Sequence, residues 1–222
     1  MKIRSVPLRL LSITTLLALA GQIYSTLVAA LGAYVWSHAE TVSYDLASLY
    51  DGLNLGTLAA LGIYIIWLVV LLVCTYRVVA NSRDRFGDEQ KPGPGWAVGY
   101  YFIPFMSLFK PYQAISVCTA LTFADDPAGP KTERLLGPWW TAWLVSGFAG
   151  TISTRLYMQA DYDSMSMFVW AESIGVAGSI LGFVAIGLVS LIVTRIARFQ
   201  TQDWKPVADS KTPPPAEAGA AP

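Results

Sequence analysis

Four stretches of this chain carry no charge over the length of a membrane crossing. Residues 10–37, 53–76, 135–154 and 173–194 run for 28, 24, 20 and 22 residues without Asp, Glu, Lys or Arg. A bilayer core about 30 Å thick needs roughly 20 helical residues. Backbone polar groups in lipid must bond within their own segment, so each run is expected to be an α-helix. None alternates strictly in polarity over about ten residues, which argues against a membrane β-barrel. Only 14% of the chain is charged and its mean hydropathy is +0.47, against about 25% charged residues in a soluble domain. The expected fold is an all-α membrane protein. It has four transmembrane helices in two hairpins, spanning about 10–36, 53–76, 135–154 and 173–194.

The first run resembles a signal peptide at its start, with Lys2, Arg4 and Arg9 ahead of it and Ala18-Leu19-Ala20 as a cleavage-like site. It continues apolar to Trp36, beyond a signal core, so a retained helix is expected.

Basic residues orient the spans. Residues 1–9, the middle segment 77–134 and the tail from 195 hold fourteen of the fifteen Lys and Arg. Only Arg155 falls on the other side, against Glu40, Asp45, Asp51, Asp161, Asp163 and Glu172. The chain is neutral overall, yet this topology divides it into a +5 inner face and a −5 outer face. It places both termini in the cytoplasm, with 201–222 a Pro- and Ala-rich disordered tail. Trp36 and Trp170 fall at the outer surface, and Trp139 and Trp140 at the inner aromatic belt.

Small residues at spacings of three and four mark helix seams. They are Ala171, Gly175, Gly178, Gly182 and Ala185 in the fourth span, and Ala142, Ser146, Ala149 and Ser153 in the third. The first span has Ala18, Gly21, Ser25, Val28 and Gly32. Gly178 and Gly182 also form a GxxxG pair suited to a homo-oligomer, although packing within one chain is the commoner use.

The middle segment is the most distinctive. Residues 81–95 read as a polar loop closing in Lys91-Pro92-Gly93-Pro94-Gly95. Residues 96–109 are uncharged, rich in Trp, Tyr and Phe, and flanked by Lys91 and Lys110. Pro104 disfavours a straight helix and Pro111 marks a second break, after which 112–123 is a short helix. The stretch 96–123 is therefore expected to be interfacial or re-entrant. A kinked fifth span is the rival reading; it would sink Lys110 to mid-depth and put the basic tail outside. Arg77 and Asn81, one turn apart, share a face that can bond carbonyls freed in a re-entrant segment; headgroup contact by Arg77 is the alternative.

Pro94-Gly95-Trp96-Ala97-Val98-Gly99, then Phe102-Ile103-Pro104, then Lys110-Pro111-Tyr112-Gln113-Ala114 resemble the hallmark of a bacterial family known as domain of unknown function 4328. Tyr76-Arg77, Asn81, Leu135-Leu136-Gly137 and Trp139-Trp140 are similar to its flanking patterns. Two departures stand out. Tyr100-Tyr101 occupy positions where the family often has tryptophan, and Ile115-Ser116-Val117-Cys118 positions where relatives often carry charge. The resemblance implies a multi-span membrane protein and no particular activity.

Catalytic signals are missing. His38 is the single histidine and cannot build a multi-histidine metal site. Cys74 and Cys118 lack CxxC spacing and read as packing residues. Met158, Met165 and Met167 suit interfacial contacts better than soft-metal capture. Gly93, Gly95 and Gly99 do not have phosphate-loop spacing. No span carries an interior carboxylate for a proton relay, and no polar stripe follows any one helix.

No enzyme activity, cofactor, metal or nucleic acid is expected. The partners expected are membrane lipids and a second membrane protein or copy. The candidate contact residues are Arg77, Asn81, Lys91, Trp96, Tyr100, Tyr101, Lys110, Tyr112 and Gln113, shaped by the turn residues Pro94, Gly95, Gly99, Pro104 and Pro111. Gly175, Gly178 and Gly182 are the expected packing positions. The alternative to an interaction protein is a small transporter or channel subunit whose re-entrant segment lines the path.

Overall fold

The computed structural model describes residues 3–124, 126, 128–160 and 165–202. These form helices α1 (Leu8–Ser37), α2 (Tyr44–Phe86), α3 (Pro94–Gly99), α4 (Lys110–Thr122), α5 (Gly129–Gln159) and α6 (Met165–Gln202). There is no strand among the described residues. Three helices, α1, α2 and α6, are long and apolar enough to cross a membrane. Helix α5 has the length, at 31 residues, but its Gly, Ser and Thr positions leave it less apolar.

Helix ends depart from the uncharged runs, because charge stops a membrane span without stopping a helix. Ser43 caps α2, its Oγ accepting from Leu46 N at 3.3 Å, as N-cap serines do. The helix then runs 43 residues, about 65 Å at 1.5 Å per residue. Residues 81–86, expected in a loop, are its last turns. Arg83, Asp84 and Arg85 are compatible with helix, and the stop comes at Gly87, whose φ of 58° suits glycine best. Helix α5 likewise begins at Gly129, ahead of the uncharged run. The tail expected at 201–222 lies outside the described residues from 203 onward.

The four long helices stand in the order α2, α1, α6, α5. Helix α1 packs along α2 and α6, and α6 packs along α5. Close approach explains this order. A β-carbon added to Gly21 would lie 3.4 Å from Ala60 Cβ, and one added to Gly178 would lie 3.0 Å from Ala149 Cβ. Small residues matter here because lipid gives apolar side chains little reason to associate, and close backbone packing supplies the attraction. The stripes of α5 and α6 face each other, and the α1 stripe meets α2 at Gly21.

Trp67 ties three helices together at mid-length. It is fully buried, and its Nε1 donates to Thr15 Oγ1 at 3.2 Å and Ser190 Oγ at 3.3 Å, while Thr15 Oγ1 donates to Ser190 Oγ at 3.0 Å. Its ring lies against Tyr64 and Trp143.

One end of the bundle holds Arg4, Arg77, Arg83 and Arg198 (the basic end). The other holds Glu40, Asp45, Asp51 and Glu172 (the acidic end). Helix α4 is wedged into the basic end between α2, α5 and α6, with Ala114, Ile115, Cys118 and Thr119 at most 1% exposed. Pro111 occupies the first turn of α4, where its missing N–H costs nothing; it opens the helix rather than breaking the chain.

Both cysteines are free and buried. Burial pushes the Cys118 thiol up to about 12, and its Sγ contacts the Val78 carbonyl at 3.6 Å and Gln200 Nε2 at 4.0 Å. The thiol therefore stays protonated at neutral pH, and the thiolate is the nucleophile. Neither cysteine is expected to react with a maleimide in the folded protein, and both are expected to react once it is unfolded in dodecyl sulfate. Mass spectrometry of the labelled chain checks this.

Candidate functional sites: an aromatic segment and a polar cleft

Residues 94–109 fold as short pieces rather than a span. Pro94 starts α3, a 3-10 turn covers Tyr100–Phe102, Pro104 interrupts, and a second turn covers Met106–Leu108. Phe105 takes a φ of 64°, the left-handed region a side chain rarely occupies. The longest helix between 94 and 123 has 13 residues, so the kinked fifth span does not form.

These pieces split the aromatic residues into two groups. Trp96, Phe102, Phe105 and Phe109 are 58, 70, 80 and 67% exposed. Trp96 stacks on Tyr100 at 5.2 Å. Tyr101 turns the other way, against Trp143, and its hydroxyl is buried without a hydrogen bond among the described residues. Lys110 Nζ donates to Gln113 Oε1 at 2.9 Å, while Gln113 and Lys91 lie at the surface. Tyr112 packs on Trp140, whose Nε1 donates to the Leu108 carbonyl at 3.1 Å. Trp139 and Trp140, expected in a headgroup belt, are 0 and 9% exposed. They hold the middle segment onto α5 instead.

Asn81 also differs from expectation. It is fully buried and so does not face a headgroup or partner. The N-terminal strap pairs with it: Arg4 N donates to Asn81 Oδ1 at 2.8 Å, and Asn81 Nδ2 donates to Arg4 O at 3.1 Å and to Gln200 Oε1 at 3.3 Å. Gln200 Nε2 donates in turn to Val78 O at 3.1 Å and Thr122 Oγ1 at 3.2 Å. Arg77 donates to the Ser5 carbonyl. Both residues do bond free carbonyls, but those of the strap, because the strap crosses α2 at this level. Asn81 thus joins the N-terminus, α2 and α6, and Gln200 extends the network to α4. The length of α2 hid this, since a polar residue beyond a span reads as loop.

The second site went unseen in the sequence. Helices α2 and α5, at the two ends of the row, do not pack along each other, and a cleft opens between them. Its outer part, about 560 Å³, extends from Glu172 and Asn54 at the acidic end past Ser153 and Ser179. A deeper part, about 330 Å³, reaches Tyr64, Trp143 and Gly182. Gln22, Ser25, Thr57 and Ser146 line both. Each helix contributes short polar pairs at helical spacing, Gln22 and Ser25 on α1, Asn54 and Thr57 on α2, Ser146 and Ser153 on α5. No single helix carries a long stripe, so the pairs become one surface only when the helices assemble.

Glu172 is fixed at the mouth of this cleft. Tyr50, 2% exposed, donates from its hydroxyl to Glu172 Oε1 at 2.6 Å. Gly32 makes room for the pair, since a β-carbon there would lie 2.7 Å from the Tyr50 ring and 2.8 Å from Glu172 Oε1. Trp36 stacks on Phe168 at 4.4 Å beside them. Gly182 meets Gln22 and Ser146, Gly175 meets Ser153, and Gly178 meets the Ser146 carbonyl, so all three packing glycines border cleft residues.

The profile of a family described as a domain of unknown function, DUF4328, matches residues 39–198. The chain belongs to the DUF4328 family. No curated protein and no solved structure matches it. The DUF4328 match runs from the acidic-end turn before α2 almost to the end of α6. It covers the aromatic segment and three of the four cleft walls, and leaves α1 outside.

Proposed function

We propose that the chain is an integral, non-enzymatic protein of the bacterial cytoplasmic membrane. Four helices cross the bilayer, with the basic end and both termini in the cytoplasm, and residues 96–109 sit in the inner leaflet at headgroup depth. Three helices of membrane-crossing length and apolarity support this. Helix α5 is read as the fourth because it lies along α6 and returns the chain from the basic to the acidic end. The placement of Arg and Lys supports the orientation.

The exposure of Trp96, Phe102, Phe105 and Phe109 on one short segment carries the leaflet reading. Water-exposed rings at this density are unfavourable, and each ring withdrawn from water contributes up to about 2 kcal/mol. A Lys or Arg near an anionic leaflet adds about 1 kcal/mol, and Lys91 and Lys110 flank the segment. Arg77 holds the strap and Lys110 holds Gln113.

Because the native thiols are buried, Phe105→Cys gives a single reactive site. An environment-sensitive fluorophore there, in nanodiscs, is expected to be quenched by lipids with a spin label high on the acyl chain, more than by deep labels or aqueous iodide. Quenching by iodide alone would overturn the placement. The cleft favours a second reading, a small transporter or channel subunit, whose path is closed toward the basic end by Tyr64, Trp67, Trp143 and Tyr101.

A further inference from the structure

Among the described residues, the cleft between α2 and α5 carries one charged side chain, the carboxylate of Glu172. Its one hydrogen-bond partner among the described residues is the neutral Tyr50 hydroxyl, which leaves the negative charge unmatched. Arg155 is exposed on α5 and does not line the cleft. A carboxylate at the edge of a low-dielectric bundle attracts a cation far more strongly than one in bulk water.

Farther in, the lining is rich in oxygen. Ser25, Ser146 and Ser153 present hydroxyls. Thr57 Oγ1 donates to the Asn54 carbonyl and keeps its lone pairs free to accept. Gln22 is half-buried, lines both parts of the cleft, and its side-chain amide makes no hydrogen bond among the described residues.

We propose that this cleft binds a small hydroxylated organic ammonium ion. Glu172 is the counter-ion, and the oxygens of Gln22, Ser25, Thr57, Ser146 and Ser153 accept from the ammonium and hydroxyl groups. The cleft's shape favours a free solute over the ammonium of a lipid headgroup. From Glu172 to Gly182 the polar wall descends about 15 Å along α6, whereas the headgroup layer of one leaflet is only about 5–8 Å deep. An acyl chain there would lie against hydroxyls and an amide.

The test uses the full chain in nanodiscs of phosphatidylcholine, which contains no primary amine, with reagents reaching both faces. Ser25→Cys reports from inside the cleft, and His38→Cys from the exposed turn at the acidic end. Each is modified with trimethylammonium-ethyl and with sulfonato-ethyl methanethiosulfonate. The cationic-to-anionic rate ratio is expected to be about tenfold higher at position 25 than at position 38. Glu172→Gln is expected to abolish the excess.

Serinol and glycerol then differ only in an ammonium replacing a hydroxyl. Serinol is expected to slow modification at position 25, and glycerol at the same concentration to leave it unchanged. Equal rate ratios at the two positions, or equal protection by the two solutes, would overturn the proposal. So would protection that appears only when phosphatidylethanolamine replaces phosphatidylcholine, which would assign the site to the headgroup. If Glu172→Gln does not fold, the rate ratios and the solute pair in the otherwise native chain still decide.

Discussion

Asn81→Leu is expected to lower stability by about 3 kcal/mol and to release the N-terminal strap. The substitution keeps the branching and heavy-atom count, though leucine is bulkier, and removes both hydrogen bonds to the Arg4 backbone and the donor to Gln200 Oε1. A typical hydrogen bond contributes about 1 kcal/mol net, and a buried acceptor left unpaired costs about 1–3 kcal/mol. Gln200 is fully buried, so its orphaned oxygen has no water to turn to.

Two measurements check this: a lower thermal midpoint in detergent, and faster amide exchange over residues 3–7 with α6 still protected near Gln200. Arg4→Ala is the control. It keeps the strap's backbone bonds and loses only the Arg4–Asp84 ion pair, both of whose side chains are more than 40% exposed. Exposed pairs contribute about 0–1 kcal/mol, so Arg4→Ala is expected to be nearly silent. A large loss from Arg4→Ala, or none from Asn81→Leu, would show that the charge and not the amide holds the strap.

Gly178→Leu is expected to have the largest effect, loss of the α5–α6 seam. The first added carbon already meets Ala149 Cβ at 3.0 Å, with Gly150 N and Ser146 O at 3.6 Å. Backbone cannot rotate away as a side chain would, so the helices must separate. Overpacking typically costs about 1–3 kcal/mol, and a rigid backbone wall puts this site at or above the upper end. The expected readout is aggregation or a broad profile on size-exclusion chromatography.

Gly178→Ala should be folded and weakened by about 1 kcal/mol. Gly187→Leu, on the same helix but with nothing within 4 Å of an added β-carbon, should behave as wild type. A folded Gly178→Leu monomer derived from a wild-type dimer would instead assign this stripe to an interface between copies.

Fold class was legible because length and charge are local properties. An uncharged run of 20 or more residues has few stable forms in a chain this apolar, and the α1, α2 and α6 helices follow from it. The glycine stripe of α6 was legible as a packing face for the same reason, since helical spacing alone puts Gly175, Gly178 and Gly182 on one side. The DUF4328 resemblance also rested on contiguous residues, from Pro94 to Ala114.

Helix ends were less legible. The second span ends before Arg77 and 81–95 reads as a loop, yet α2 continues through Arg77, Arg83 and Asp84 because backbone hydrogen bonding is indifferent to charge at a surface. Likewise, Trp139 and Trp140 have the composition of a headgroup belt, but the middle segment folds over them and buries them.

The sequence by itself determined that the chain is helical, where its longest helices lie and how its charge divides between two ends. Those features depend on hydrogen bonds and solvation within a few turns of one helix. Only the tertiary structure decided that Asn81 binds the chain's own N-terminus, that Tyr101 turns inward while Phe105 turns outward, and that scattered Ser, Thr and Gln residues share one cleft with Glu172. Each of these joins residues from separate helices, and their proximity is set by where small residues let backbones touch. Packing α1 between α2 and α6 leaves α2 and α5 apart, and the polar cleft is the space between them.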